Sequence, residues 1–180
     1  FYIVDETTSM TKQDLNGTKL VTMDLSAKLG KEEPLVLIYH THGSETYKKV
    51  NGKEGSVIEV GTALTKELEN VYGIKTVHDK SVYDMVDGQL DRNAAYNFAG
   101  DSVEAALRKN PSVKVVIDLH RDSVENNIHL RTKINGKSAA QIMFFNGVSR
   151  LASKGDIGYL YNPNKEANLA FSCLLYTSPS

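Results

Sequence analysis

Two stretches of the chain place histidine and carboxylate groups at spacings suited to metal chemistry. The run Ile38-Tyr39-His40-Thr41-His42 is followed by Glu45, and a second run, Ile117-Asp118-Leu119-His120, also ends in histidine. Two imidazoles and a carboxylate, with one coordination position left for water, form a recurring catalytic zinc set. His42, Glu45 and His120 are therefore the candidate ligands. His40 lies two residues before His42 and would share its face in an extended strand, so it is either an alternative ligand or a supporting group. Asp118 stands in the same relation to His120 and would either orient it by accepting its second ring proton or cap nearby backbone at the strand end. Arg121 and Asp122 follow directly and are the candidate catalytic residues beside the metal. Arg121 is suited to holding a substrate carboxylate in a two-pronged hydrogen bond. Glu59 opens a helix near the same edge and is the fallback acid if Glu45 points away. His78-Asp79 reads as structural, and His129 as a surface or lining residue.

His-x-x-Glu alone is a weak pattern, and the elements that must position it supply most of its force. Leu35 to Tyr39 is a continuous apolar run of strand length, the pattern of a strand buried on both faces of a sheet, and Val113 to Leu119 is a second β-rich apolar run. Between them, Val60, Leu64, Leu68 and Val71 fall at helical spacing, with Gly73 placed as a C-cap. Ile74 to Val77 reads as a short strand, and residues 91–109 as a helix carrying Tyr96, Ala99, Val103 and Leu107 on one stripe. This alternation predicts an α/β domain, a mainly parallel twisted sheet flanked by helices. Parallel strands bring their carboxyl ends to one edge, where open α/β sheets bind ligands. His42 and His120 thus meet in space although far apart in sequence. Ile128 to Ile134 and Ala139 to Phe145 flank Asn135-Gly136, a strong hairpin signal.

Composition narrows the classes. The 180 residues suffice for one domain with a core, and 41% hydrophobic with 24% charged residues is ordinary for a folded soluble chain. A net charge of −1 offers no basic surface for nucleic acid or an anionic membrane. No apolar stretch approaches the roughly 20 residues of a membrane helix. The single cysteine, Cys173, excludes an internal disulfide framework and a thiolate zinc cluster. The opening Phe1-Tyr2-Ile3-Val4-Asp5 reads as a segment of a longer protein. Residues 1–33 read as a lead-in with weak structure of its own, the sequence from Pro34 as the α/β domain that holds the candidate site, and 172–180 as a non-native tail at a truncation point.

Leu37 to His42 with Glu45 and Tyr47, Val60-Gly61 with Leu64 and Leu68, and Ile117-Asp118-Leu119-His120-Arg121-Asp122 together resemble the stage II sporulation protein P family. The likeness continues through Asn135-Gly136-Lys137 and Ala140 to Phe144, to Asn162-Pro163 and Asn168-Leu169, covering residues 34–171. The resemblance implies a zinc-dependent N-acetylmuramoyl-L-alanine amidase fold with one zinc ion. It implies cleavage of stem peptides from peptidoglycan, and of peptide cross-links, during spore engulfment. It further implies a membrane anchor upstream, an extracytoplasmic place at the septal or forespore membrane, and stage II sporulation protein D as a partner. Overlaid on the wider amidase pattern, the first ligand histidine falls on His42, the second on His120 and the acid near Glu59, whereas the sporulation family's own motif points to Glu45. The family's late glutamate, in a Glu-x-Gly setting, has no counterpart after Asn168, so this stretch is expected to bind zinc and turn over poorly. The rival readings are a zinc carboxypeptidase-like peptidase and a non-catalytic cell-wall-binding domain.

Overall fold

The structure is a computed structural model that describes residues 3–28, 32–47, 54–125, 127–128 and 130–177. His129, with residues 29–31, 48–53 and 178–180, lies outside the described residues. In chain order the elements begin with α1 (Gly17–Val21), β1 (Val36–Tyr39), α2 (Val57–Asn70) and β2 (Thr76–His78). A short hairpin of β3 (Met85–Val86) and β4 (Gln89–Leu90) precedes α3 (Arg92–Lys109) and β5 (Val115–Asp118). Two further hairpins, β6 (Arg131–Ile134) with β7 (Lys137–Ala140) and β8 (Arg150–Leu151) with β9 (Gly155–Asp156), lead to α4 (Lys165–Thr177). The chain divides into two compact units, Ala27–Ile128 and Phe1–Ser26 with His129–Ser180.

The first unit is built on a parallel three-stranded sheet in the order β2-β1-β5. Central β1 is the most buried strand, with Val36, Leu37 and Ile38 in the core. That position explains its unbroken apolar run. The register sets Ile38 opposite Ile117 and Tyr39 opposite Asp118. From β1 the chain crosses through α2 to β2 on one side, then through α3 to β5 on the other. The first crossover leaves β1 toward β2, and the second returns from β2 past β1 to β5, so the carboxyl ends of β1 and β5 flank a topological switch point.

The helices begin where local chemistry says they should. Ser56 and Glu59 form a reciprocal capping box at the head of α2, and the Asp91 side chain caps α3. Gly73, at φ +66, ends the α2 turn as expected. The buried stripe of α2 differs from the predicted one: Val57 and Gly61 face the sheet, while Val60 and Val71 are exposed. Close approach decides this. A Cβ on Gly61 would fall 2.6 Å from His78 Nε2 and 2.7 Å from His40 Nε2, so only glycine lets the helix seat there. On α3, Ala95 and Ala99 are buried and Tyr96 is exposed.

In the second unit, Leu20 of α1 packs on Leu169 and Ala170 of α4, with Met10, Met23, Leu25 and Cys173 around them. A five-residue helix is too short to hold alone, so α1 depends on this packing. Asn135 and Gly136 both have positive φ, the expected two-residue hairpin turn, and Ile134 pairs with Lys137. The second strand therefore starts immediately after the turn and ends at Ala140, and residues 141–145, expected to be strand, are irregular. Helix α4 runs on through Ser172–Thr177, where the helical pattern was expected to lapse. Ser172 accommodates to it by donating its hydroxyl to the Asn168 carbonyl one turn back.

Candidate metal centre

His42, Glu45 and His120 come together at the switch point, each offering a ligand atom within 4.8 Å of the others. His120 sits two residues past the end of β5. His42 and Glu45 lie on the turn that follows β1, with the Glu45 amide bonded to the His42 carbonyl at 3.1 Å. The Glu45 carbonyl in turn accepts from Val57 N–H at 3.1 Å, tying the turn to the head of α2.

Each candidate ligand is held by its own partners. His120 Nε2 is 2.9 Å from Asp118 Oδ1, and its Nδ1 is 3.6 Å from Glu45 Oε2. A ring that donates from Nε2 to Asp118 turns the lone pair of Nδ1 toward Glu45. Asp118 also accepts both the N–H and the hydroxyl of Thr41, at 2.9 and 2.6 Å. Burial works to raise the Asp118 carboxyl, but the hydrogen bonds from His120 and Thr41 outweigh it and hold it below its ordinary range. The Asp118 hydrogen bond conversely lifts His120 above the usual imidazole value, against the effect of burial. Glu45 is nearly buried, and its Oε2 accepts the Arg121 amide at 3.2 Å. His42 is half-buried, its Nε2 lying 3.4 Å from the Arg92 carbonyl and its ring edge-on to Tyr96 and His120. Tyr39 stands behind the site, its phenol pushed up to about 12 by burial and then by the Asp118 charge.

The donor set fits a zinc ion. Tetrahedral bonds of about 2.0–2.1 Å place ligand atoms roughly 3.3 Å apart. The 3.6 Å between His120 and Glu45 is close to that already. The imidazole–carboxylate pair of His120 and Asp118 is the support that metal-bound histidines recurrently have.

The other sequence-derived candidates lie elsewhere. His40 is fully buried, with Nδ1 2.9 Å from the Leu119 carbonyl and Nε2 3.0 Å from His78 Nε2. Burial lowers the pKa of both rings, in keeping with a neutral pair. Expected to share a face, His40 and His42 instead diverge, because β1 ends at Tyr39 and Thr41 to Ser44 form a turn. Glu59 is committed to Ser56 in the capping box, and Glu45 takes the place left open between them. Asp122 is exposed and accepts the amide of its neighbour Ser123. Arg121 is partly buried; its Nη1 donates to the Asp122 carbonyl at 3.4 Å, and its buried Nε has no partner among the described residues. Asp79, beside His78, accepts from Tyr83, Ser81 and Ser102, a structural arrangement.

Sequence reasoning passed over Thr41, Ser44, Asp84 and Tyr96. A hydroxyl residue directly before each ligand of the first motif, Thr41 before His42 and Ser44 before Glu45, was the available signal.

The family model of stage II sporulation protein P matches residues 3–177. The chain belongs to that family. Membership ties it to sporulation and agrees with the resemblance carried by the two histidine motifs. A curated relative, stage II sporulation protein P of Bacillus subtilis (strain 168), is 28% identical over 127 residues, 64% of this chain. The aligned stretch spans 31% of that relative's length. No solved structure matches the chain significantly. Among the described residues no helix is long and apolar enough to cross a membrane.

Proposed function

We propose that this chain carries the zinc centre of a peptidoglycan hydrolase, an N-acetylmuramoyl-L-alanine amidase with endopeptidase capacity, acting in spore engulfment. The observation that carries the reading is the convergence of His42, Glu45 and His120 at the β1/β5 switch point, with Asp118 behind His120. Family membership supports the setting. An amidase-like fold around this sheet, a membrane anchor elsewhere in the full protein, an extracytoplasmic site of action and stage II sporulation protein D as partner belong to the same proposal.

A bound zinc ion would supply Lewis acidity, polarising the scissile carbonyl and acidifying a water. The chain's own residues do the rest. Asp118 fixes the His120 ring and its tautomer, and the Arg121 amide fixes the Glu45 carboxylate. The Arg121 guanidinium is suited to gripping a carboxylate of the stem peptide in a two-pronged hydrogen bond. Glu45 and Asp118 are both committed to these contacts, so neither serves as the general base. Binding of zinc and of wall polymer with slow hydrolysis is therefore the expected behaviour.

The test is zinc content and sacculus digestion by the purified protein beside His42→Ala and His120→Ala. The wild type should hold about one zinc and release stem peptides with free L-alanine amino termini, and both variants should lose the metal. A folded wild type that takes up no zinc, or one whose uptake survives both substitutions, removes the metal centre. Sacculus binding without zinc would instead establish a wall-binding domain.

A further inference from the structure

The turn that carries His42 and Glu45 is held by two clamps of the same construction. In the first, described above, Thr41 gives both its N–H and its hydroxyl to Asp118. In the second, Ser44 gives its N–H to Asp84 Oδ1 at 3.1 Å and its hydroxyl to Asp84 Oδ2 at 2.6 Å. Each clamped residue immediately precedes a candidate ligand. Between them lies Gly43, pressed so tightly that an added Cβ would stand 2.8 Å from the Ser81 carbonyl oxygen and 3.1 Å from Val82 Cα. The turn is thus seated on residues 81–84 as well as on β5.

Asp84 is fully buried. Burying a carboxylate is strongly unfavourable unless it is hydrogen-bonded, and an apolar residue of similar volume would serve stability as well or better. The side-chain hydrogen bonds Asp84 accepts come from Ser44 alone among the described residues. A charged group kept in the core for bonds to the residue before Glu45 is suited to fixing where Glu45 points. We propose that Asp84, acting through Ser44, is a positioning residue for the metal centre, matching Asp118 acting through Thr41. It touches neither ligand atoms nor substrate. Its effect is to hold the backbone between His42 and Glu45 in the one arrangement that brings both side chains to His120.

This inference rests on the metal-centre reading, and the experiment separates the two. Zinc affinity of the full chain is measured by chelator competition for the wild type, Ser44→Ala, Ser44→Thr and Asp84→Asn, with cobalt substitution giving a ligand-field spectrum. Circular dichroism reports folding of each. Loss of a group that orients metal ligands typically weakens affinity about 10–100-fold. Ser44→Ala and Asp84→Asn should fall in that range with an altered cobalt spectrum. Ser44→Thr, which keeps both donors, should stay near the wild type. Ser44→Ala or Asp84→Asn that folds and binds zinc with unchanged affinity and spectrum overturns the role of Asp84 while leaving the metal centre intact. If the wild type itself binds no zinc, the metal-centre reading falls and takes this inference with it. Should Asp84→Asn fail to fold, Ser44→Ala decides alone, because it deletes one hydroxyl and leaves the backbone donor in place.

Discussion

At the scale of single residues, Asp118 is where most of the site's order converges. Its two oxygens receive Thr41 N–H, Thr41 hydroxyl and His120 Nε2. Three donors on one carboxylate join the end of β1 to the end of β5 through side chains. Asp118→Asn preserves shape but removes the charge, and an amide can offer only one oxygen to the three donors. Zinc affinity should fall about 10–100-fold while the far-ultraviolet spectrum stays unchanged. Titration with a fluorescent zinc chelator measures it, and a variant that competes as well as the wild type would show that Asp118 only braces the strands. The pairing of Asp118 with His120 was legible in the sequence because a strand-end x-Asp-x-His pattern has a direct physical reading. His40 was not, since alternation along a strand says nothing once the strand stops at Tyr39. Asp84 was invisible for a different reason. No periodicity distinguishes a buried acid from an exposed one, and its partner Ser44 lies 40 positions away.

At the scale of elements, the strands carried the clearest signal. β1 and β5 coincide with the two apolar runs because each needs a face that excludes water, and burial leaves a mark in composition. Helix faces were less legible: the stripe of α2 runs through Val57 and Gly61 because the approach to His40 and His78 selects glycine, which hydrophobic spacing does not register. The α1–α4 packing also escaped, since it depends on residues far apart in the chain. It brings with it a charge network in which Asp14 accepts from Thr11, Arg150 and, by charge, Lys165. The Thr11 amide and hydroxyl lead in holding the Asp14 carboxyl well below its ordinary range, over the opposing effect of burial. A carboxyl whose folded pKa lies below its unfolded value contributes stability that is fully present above the unfolded value, near pH 4, and is lost as pH falls below it. Acidification below about pH 4 should therefore loosen this unit, and Asp14→Asn should be less stable at neutral pH with a flatter acid dependence. Hydrogen exchange of the α1 and α4 amides is the measurement, and an acid profile identical in wild type and variant would show that Asp14 does not govern it.

At the scale of the whole chain, the candidate chemistry is concentrated. His42, Glu45 and His120 lie within Ala27–Ile128, as do Thr41, Ser44, Asp84, Asp118 and the Arg121 amide. A chain limited to Ala27–Ile128 should accordingly retain zinc binding. It should also gain stability from zinc, because a ligand that binds the folded state alone stabilises by RT ln(1 + [L]/Kd), about 2.7 kcal/mol at a hundredfold excess over Kd. The apo form should be marginal, since among its described residues few apolar ones are buried: Val36, Leu37, Ile38, Val57, Ala95 and Ala99. Zinc should therefore produce a large rise in the denaturation midpoint, larger than in Asp118→Asn of the same fragment. Thermal melts with and without zinc, followed by circular dichroism, give the answer. A fragment that folds but shows no zinc-dependent shift would mean that ligands outside Ala27–Ile128 complete the site, and that the three residues gathered at the switch point are not sufficient by themselves.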